Sequence, residues 1–349
     1  MRVVVATVRT PFVHGGAEIL ADELVKALTV AGHEAELAAV PFSPSDLERV
    51  IDQMLACRLI DLRSVHGVPV DRLIALKFPA YFIPHPEKVV WLLHQHRSAY
   101  DLYDHVIGGL RGSPRGETVR DIIHRADQQL GAEAKAVFTI SRNVTRRLEQ
   151  FSNVDSVPIY HPPAGAEHFY CADETGDYFF FPSRVTATKR QKLVIDALAM
   201  TQHPVRVKFS GLPDSRPFGE GLVTLAQDLG VADRIEWLGF LSDSQKREAY
   251  ARAIAVVFPP IDEDYGYVTL EAMLASKAVI TCSDSGGPLE FVLPGRTGMV
   301  TSPKAKHLAA SLDTLWQDRA LARHYGQEGL RHYKALGLSW DKVVSTLLA

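Results

Sequence analysis

The chain has 349 residues, of which 46% are hydrophobic, and a formal net charge of −3 at pH 7. This length and apolar fraction predict a large core divided between two domains, and the charge and the absence of a long basic run argue against a nucleic-acid partner. Three scattered cysteines, Cys57, Cys171 and Cys282, offer neither a disulfide framework nor a metal-binding spacing, as expected for a reducing cytoplasm.

The first residues, MRVVVATVRT, form an apolar stretch too short and too soon interrupted for a signal peptide. No apolar run reaches the ~18 residues that a transmembrane helix needs. The sequence therefore predicts a cytoplasmic protein. Peripheral contact with the inner face of a membrane stays open.

Short apolar segments rich in β-branched residues alternate with amphipathic ones along the whole chain. Most of these segments are continuously apolar, which is typical of parallel strands covered on both faces. The alternation with helices, such as the one predicted before Gly32, indicates a doubly wound α/β fold. About eleven strands are too many for one such sheet, so we predict two Rossmann-like domains. In chain order, the predicted strands are RVVVAT, EAELAAV, DRLIALKF, KVVWLLH, AVFTIS, VPIYHPP, YFFFPSR, VRVKFSG, RIEWLGF, AIAVVFPP and AVITCSD.

The domain boundary is predicted near HPPAGAEHFYCADETGD, residues 161–177, a stretch rich in proline, glycine and acids that has no clear periodicity. This gives an N-terminal domain at 1–165 and a C-terminal domain at 166–330. The remaining segment, 331–349, contains LGLSWDKVVSTLLA, a predicted helix capped by Ser339. Whether this helix packs on its own domain or crosses back to the first domain stays open.

Residues that follow the first and the seventh predicted strands are suited to a phosphate. Ligands of open α/β sheets bind beyond the carboxyl ends of the strands. Gly15 and Gly16 precede a helix, whose first amides attract anions, although a plain tight connection is an alternative. Arg184 and Lys189 follow YFFFPS and could clamp a diphosphate, arginine in a bidentate manner and lysine as a point charge, or be solvated caps.

The stretch EDYGYVTLE, residues 263–271, places a carboxylate on each side of a predicted loop-to-helix turn. Glu263 lies in the loop, Gly266 ends it, and Glu271 lies about one turn inside the helix, whose N-terminus carries partial positive charge. Carboxylates accept hydrogen bonds from hydroxyl groups, as the acid of a dinucleotide fold does with ribose. The ligand should therefore carry hydroxyls at both ends and phosphate between them, as a nucleotide-diphosphate sugar does.

Taken in order, these motifs resemble family-four retaining glycosyltransferases of the GT-B fold, in which two Rossmann-like domains face each other across a cleft. The resemblance covers most of the chain and is weakest from about residue 42 to 135. It rests on the Glu-x7-Glu signature, the strand-end Arg with Lys five residues later, the downstream glycine turn containing Glu290, and the N-terminal glycine loop with its helix. These are EDYGYVTLEAM, SRVTATKRQKLVIDAL, CSDSGGPLEFV and HGGAEILADELVKALTVAGHEAEL.

The resemblance implies a role for each of these residues. Arg184 and Lys189 bind the donor diphosphate, Glu271 holds the ribose hydroxyls, and Glu263 contacts the donor sugar near the reacting carbon. Backbone amides also face the sugar or the phosphate, namely those of Gly266, Tyr267 and Val268.

The resemblance also implies residues of the first domain. The Gly15–Gly16 loop approaches the phosphate when the cleft closes. His94 aligns with the family histidine near the donor sugar, but the local sequence HQHR leaves the choice between His94 and His96 open. Two residues apart at the end of a predicted strand, these histidines face opposite ways and are not expected to share a metal. A strand-end histidine bonded to a neighbouring backbone group is the alternative for His94.

The expected activity is transfer of a sugar from a nucleotide-diphosphate sugar to a glycan or lipid-linked acceptor, in glycan or polysaccharide biosynthesis. The family retains anomeric configuration, the acceptor hydroxyl attacking from the leaving-group face while a phosphate oxygen takes its proton. No cofactor and no metal are expected, and the Asp262–Asp264 run DED is interpreted as a coincidental Asp-x-Asp match. The alternatives are a sugar-nucleotide epimerase of the same two-domain architecture and a binding protein that has lost transferase activity.

Overall fold

The computed structural model describes residues 1–12, 15–43, 49–105 and 107–349. By its contacts the chain divides into two compact units. The first unit comprises Met1–Ala164 together with Leu338–Ala349, and the second comprises Gly165–Gly337. The division, between residues 164 and 165, lies one residue before the predicted boundary at 165/166, but the second unit extends to residue 337 rather than 330. His14 of the N-terminal glycine motif lies outside the described residues.

The first unit is built on a six-stranded parallel sheet in the order β2-β1-β5-β6-β7-β8, and β3 and β4 form a separate hairpin. The strands are β1 Arg2–Arg9, β2 Glu34–Pro41, β3 Ser64–Val65, β4 Val68–Pro69, β5 Arg72–Ala75, β6 Lys88–Leu92, β7 Ala136–Thr139 and β8 Val157–Pro158. The helices of its N-terminal part are α1 Gly16–Val30, α2 Val50–Leu59, α3 Gly116–Asp127, α4 Leu130–Glu133 and α5 Arg142–Ser152. The strand order reverses direction between β1 and β5.

The second unit contains another six-stranded parallel sheet, in the order β11-β10-β9-β12-β13-β14. Its strands are β9 Phe179–Pro182, β10 Val207–Ser210, β11 Ile235–Trp237, β12 Ala255–Val257, β13 Ala278–Cys282 and β14 Gly298–Thr301. Its helices are α6 Gln191–Leu198, α7 Arg216–Asp228, α8 Asp243–Arg252, α9 Tyr267–Leu274, α10 Ala305–Gln317 and α11 Arg319–Leu336. This is the strand order of the dinucleotide-binding Rossmann fold, and its direction reverses between β9 and β12.

The predicted α/β class is confirmed, and the continuous apolar runs are the reason that it could be predicted. Phe179, Phe180 and Phe181 are all fully buried, as expected for a strand covered on both faces.

The prediction missed the β3–β4 hairpin and β14. β14 begins at Gly298, where an added Cβ would lie 2.1 Å from the carbonyl oxygen of Val279. A short, half-buried strand that starts on an obligatory glycine carries little apolar signal.

None of the helices in the described ranges is both long and apolar enough to cross a membrane.

The last helix, α12 Trp340–Leu348, belongs to the first unit and is capped as predicted, since Ser339 Oγ accepts a hydrogen bond from the Lys342 amide. Trp340 packs against Trp91 and His161, with ring centroids 6.3 and 5.7 Å away. The buried guanidinium of Arg72 donates to the carbonyl oxygens at the end of the helix, those of Leu347, Leu348 and Ala349, at 3.2–3.4 Å. A cation at a helix C-terminus is favoured by the helix dipole, so both ends of α12 are fixed.

Because the Leu347 side chain of α12 is fully buried, the Leu347→Ala variant should lower the free energy of unfolding by about 2–5 kcal/mol. Urea denaturation measures the loss. The control is Ser345→Ala on the exposed face of the same helix, where a change within ~0.5 kcal/mol is expected. Equal midpoints for L347A and wild type would show that α12 contributes nothing to the first unit.

Candidate functional site

The switch point of the second sheet lies between β9 and β12, where ligands of doubly wound folds bind beyond the strand ends. The segment after β9 runs from Ser183 to Arg190, and the segment after β12 runs from Phe258 to Gly266. A backbone hydrogen bond joins them, since the Ile261 amide donates to the Thr188 carbonyl oxygen at 2.7 Å. The two loops that the sequence singled out therefore form one surface.

An ion pair between Lys189 and Glu263 lies at this switch point. The two side chains are only 15% and 21% exposed. The Lys189 ammonium also lies 5.4 Å from the centroid of the Phe258 ring. An ammonium has three donors and a carboxylate about four acceptor positions, so each group keeps capacity for a ligand. The structure thus joins two of the predicted site residues in one polar centre.

The loop that carries Glu263 is held by the segment after β13. The Glu263 amide donates to the Ser285 carbonyl oxygen at 2.9 Å, and the Gly287 amide donates to the Glu263 carbonyl oxygen at 2.7 Å. An added Cβ at Gly287 would lie 2.6 Å from the Tyr265 carbonyl oxygen, so this close approach requires glycine. The downstream glycine turn therefore fixes the position of Glu263.

Helix α9 begins at this surface, directly after Gly266. Gly266, the N-cap, has φ +88° and ψ 57°, a left-handed conformation that favours glycine. An added Cβ there would also lie 2.8 Å from Pro288 Cγ. The first amides of a helix have no partner within the helix and carry partial positive charge. The half-buried Tyr267 and Val268 follow Gly266 as the first helical residues.

Glu271 lies in a different environment from Glu263. Its side chain is buried within α9, and its carboxylate accepts hydrogen bonds from Lys246 Nζ and Tyr250 Oη, both at 2.6 Å. Lys246 and Tyr250 are one turn apart on α8, and burial raises the pKa of Tyr250 well above its usual value. Sequence reasoning did not single out these partners, although their spacing of four places them on one helix face.

The three cations after β9 have different partners. Lys189 pairs with Glu263, whereas the exposed Arg184 lies 3.5 Å from Asp214. Arg190 donates two hydrogen bonds to Asp284, at 2.8 and 2.6 Å, and so ties the loop after β9 to the loop after β13. The structure therefore does not place Arg184 in the Lys189–Glu263 pair.

The fully buried Gln191 braces the same loop. Its Nε2 donates to the Arg184 carbonyl oxygen at 2.9 Å, and its Oε1 accepts from the Thr186 amide at 3.3 Å. A glutamine at the first position of α6 gives no sequence signal that separates it from a solvated residue, so this brace could be found only in the structure.

In the first unit, Gly15 and Gly16 start α1, and a buried ion pair that the sequence did not predict lies beside them. The Gly15 amide donates to Glu18 Oε2 at 2.9 Å, and Lys77 Nζ donates to Glu18 Oε1 at 3.1 Å. Lys77 follows β5 and α1 follows β1, the two strands between which the order of this sheet reverses. The only hint of this arrangement in the local sequence is that an acid, Glu18, stands three residues after the glycine at the helix start.

His94 and His96 both lie after β6, which ends at Leu92, so they do not occupy the strand end that the prediction assumed, and on a strand residues two apart would share a face rather than oppose each other. His94 is half-buried, and its Nδ1 donates to the Gln95 carbonyl oxygen at 2.7 Å, as the alternative for this residue proposed. His96 is buried against the Phe78 ring, 4.9 Å between centroids, and burial lowers its pKa to about 4. His94 is therefore the more accessible of the two.

Within the described ranges, no three His, Cys, Asp or Glu side chains are grouped so that they could hold a metal ion. The DED run is fixed through its backbone, since the Asp262 amide donates to the Asp284 carbonyl oxygen at 2.9 Å. Its central residue, Glu263, pairs with Lys189.

Comparisons with known proteins agree with this architecture. Residues 170–332 match the family model described as glycosyl transferases group 1. A D-inositol 3-phosphate glycosyltransferase from Mycobacterium leprae is 26% identical over 241 residues, covering 64% of this chain and 55% of the relative. The chain spans about half, or less, of the curated relatives it matches.

Solved structures resemble the whole chain. Sucrose-phosphate synthase from Thermosynechococcus elongatus superposes with a TM-score of 0.76 at 18% identity, covering 99% of this chain and 97% of that one. Anabaena HepE, in complex with UDP and glucose, superposes with a TM-score of 0.71 at 17% identity, covering 99% of both chains. The fold is GT-B, as the sequence motifs predicted.

Proposed function

We propose that this chain, whose residues 170–332 match the glycosyl transferases group 1 family model, transfers a sugar from a nucleotide-diphosphate sugar to an acceptor hydroxyl. The observation that carries the proposal is the Lys189–Glu263 pair, which lies at the switch point of a Rossmann-type sheet beside the first turn of α9. A cation, a carboxylate and helix-start amides are the groups that a phosphate flanked by hydroxyl-bearing sugars requires. The structural neighbour HepE was crystallised with UDP and glucose, which supports a donor of this class.

In the proposed reaction, the bond between the anomeric carbon and the diphosphate breaks, and negative charge develops on the departing phosphate oxygen. Lys189 and the amides of Gly266, Tyr267 and Val268 stabilise that charge, with Arg184 as a further cation that leaves Asp214 to reach the diphosphate. Fixed donors aimed at a developing charge make the largest single contribution to the rate enhancement of many enzymes. We name no general base, since a phosphate oxygen of the leaving group takes the proton of the acceptor hydroxyl in a retaining reaction.

The two carboxylates have separate roles in the proposal. Glu263 accepts hydrogen bonds from the donor sugar. It pairs with Lys189, which in the proposal binds the diphosphate to which that sugar is attached. Glu271 accepts from the ribose hydroxyls with the lone pairs that Lys246 and Tyr250 leave free. The bonds to Lys246 and Tyr250 hold its carboxylate in one orientation before the ligand arrives.

The proposal needs no divalent cation, since Lys189, Arg184 and the helix start supply the positive charge. The acceptor is proposed to be a glycan or a lipid-linked glycan, and the reaction to take place in the cytoplasm or at the inner face of a membrane. The Mycobacterium leprae relative is named a D-inositol 3-phosphate glycosyltransferase, which supports sugar transfer as the reaction type.

Thermal-shift measurements with UDP-, GDP- and ADP-sugars test the donor, and the donor that stabilises the protein is then assayed for release of its nucleoside diphosphate. Release should rise on addition of a hydroxyl acceptor, remain unchanged in EDTA, and yield a product with the anomeric configuration of the donor. Conversion of the donor to an epimer without release of nucleoside diphosphate would overturn the proposal. Activity that disappears in EDTA would overturn the part of the proposal that the reaction needs no divalent cation.

A further inference from the structure

A cavity lies in the second unit at the opposite edge of its sheet from Lys189 and Glu263. Its volume is about 90 Å³. Ile254 and Lys277 immediately precede β12 and β13, so the cavity lies at the amino-terminal ends of these strands. We call it the amino-edge cavity. Its lining includes Cys171, Asp173, Ile254, Lys277, Arg319 and Arg323.

Lys277 is the unusual member of this lining, because it is only 4% exposed. No carboxylate forms an ion pair with it in the described part of the chain, and burial lowers its pKa. The thiol of Cys171 is a hydrogen-bond partner of this amine and favours its charged form. Burying an ammonium without a counter-charge is costly. A ligand anion in the cavity would supply that counter-charge.

Two further cations line the cavity against one acid, Asp173. Arg319 Nε donates to the Trp316 carbonyl oxygen at 2.8 Å, and its guanidinium lies 4.4 Å from the centroid of that ring, so its position is fixed. Arg323, one turn further along α11, is exposed and free to turn toward a ligand. The lining thus has an excess of positive charge, and arginine and lysine together suit a phosphate group.

Close packing holds Lys277 at this depth. Ser276, the preceding residue, has φ +54°. Gly326 of α11 lies against it so closely that an added Cβ would be 2.0 Å from the Ser276 carbonyl oxygen. Helix α11 and the start of β13 therefore form a rigid wall, and the cavity is a fixed part of the second unit.

We propose that the amino-edge cavity binds a small phosphate-bearing anion, with Lys277 as its buried counter-charge and Arg319 and Arg323 as flanking donors. About 10–15 Å³ on this measure holds one water molecule, so the cavity accommodates a phosphate group with a few waters. Pockets for drug-sized ligands are roughly 300–1,000 Å³, which excludes a whole nucleotide. The phosphate is therefore either the free ion or the end group of an ester whose remainder lies outside.

Calorimetric titration of the protein in a phosphate-free buffer tests the proposal, with inorganic phosphate in one arm and glucose 6-phosphate in the other. Tighter binding of the ester identifies an esterified ligand, and equal or weaker binding identifies the free ion; either result supports the site. Lys277→Met should weaken binding by about tenfold or more. Lys334→Met, at an exposed lysine of α11, the helix that carries Arg319 and Arg323, is the matched control and should bind as the wild type does.

Phosphate could also bind at the switch point, so the Lys189→Met variant is titrated in parallel. Binding that is lost in K189M and kept in K277M would place the anion at the switch point and overturn the proposal, as would no binding to the wild type at millimolar phosphate. Arg323→Gln, an exposed change, provides a second variant in case K277M does not fold, and it should also weaken binding.

Alkylation of Cys171 reports whether the amino-edge cavity itself is occupied. Cys171 is exposed and lines the cavity, whereas Cys57 and Cys282 are buried. Bound phosphate should slow iodoacetamide labelling of Cys171 in the wild type and in K189M, but not in K277M. Labelling that phosphate does not slow in the wild type would contradict occupancy of this cavity.

Discussion

Replacing Glu263 with alanine is expected to lower the rate of sugar transfer by about 10²–10³-fold or more, to near abolition, while nucleotide binding stays mostly intact. The carboxylate lies at the reacting end of the proposed donor site, whereas other groups, including Lys189 and Glu271, hold the nucleotide. The loop should keep its position, because the Glu263 amide and carbonyl bond to Ser285 and Gly287 through the backbone. Loss of the charge also frees Lys189, which can then remain on the diphosphate.

Two measurements separate these effects. The kcat is obtained from nucleoside diphosphate release, and the dissociation constant of the free nucleoside diphosphate from calorimetry. Glu220→Ala, an exposed glutamate paired with Arg216 on α7, is the control for loss of a surface acid. Turnover of E263A near the wild-type rate would show that Glu263 has been assigned wrongly.

Replacing Lys189 with methionine should also reduce kcat by about 10²–10³-fold, and in this variant nucleoside diphosphate binding should weaken as well. Lys189 is the cation that the structure places beside Glu263, with a side chain only 15% exposed. Charge that develops on the leaving diphosphate in such a place meets little competition from water, so removal of the partner is costly. The effect should be smaller for a donor analogue whose leaving group has a lower pKa.

Lys192→Met provides the matched control for this change. Lys192 is three residues away, 64% exposed, and paired with Asp196 along α6. It should retain wild-type kcat and wild-type nucleotide affinity. An unchanged kcat in K189M, with only the donor KM raised, would assign Lys189 to ground-state binding rather than to stabilisation of the leaving group.

The sequence was sufficient to predict which loops form the candidate site, because that depends on local signals. Phe179–Phe181 and the run that contains Ala255–Val257 are continuously apolar, so the residues after them could be placed at a carboxyl edge. Glycine before a helix and a pair of acids eight residues apart then indicated the donor chemistry. Each of these signals spans only a few residues of the chain.

The pairing of side chains could not be predicted in this way. Glu271 bonds to Lys246 and Tyr250, 25 and 21 residues earlier, and Glu18 bonds to Lys77, 59 residues later. Which elements meet is set by the strand order, and the two units differ in that order although both alternate strand and helix. A motif thus indicates that a carboxylate is present, but not which cation restrains it.

The side of the molecule taken by the last helix was likewise open from the sequence. A capped amphipathic segment has an apolar face, but the sequence of the segment and its neighbours does not indicate which surface will cover that face. The packing position of α12 is set by Trp91 and His161, and by Arg72, which reaches the helix end from β5. These residues are far apart in sequence and become neighbours only once the first sheet has formed.

The position of α12 also constrains the order in which the chain matures on the ribosome. The surface formed by Trp91, His161 and Arg72 is translated early, yet residues 340–348, which cover it, emerge only after all of Gly165–Gly337 has been made. Folding during synthesis generally proceeds from the N-terminus, one domain at a time. Here the later-translated unit is the first whose chain is complete, and the earlier one waits with an aromatic surface uncovered.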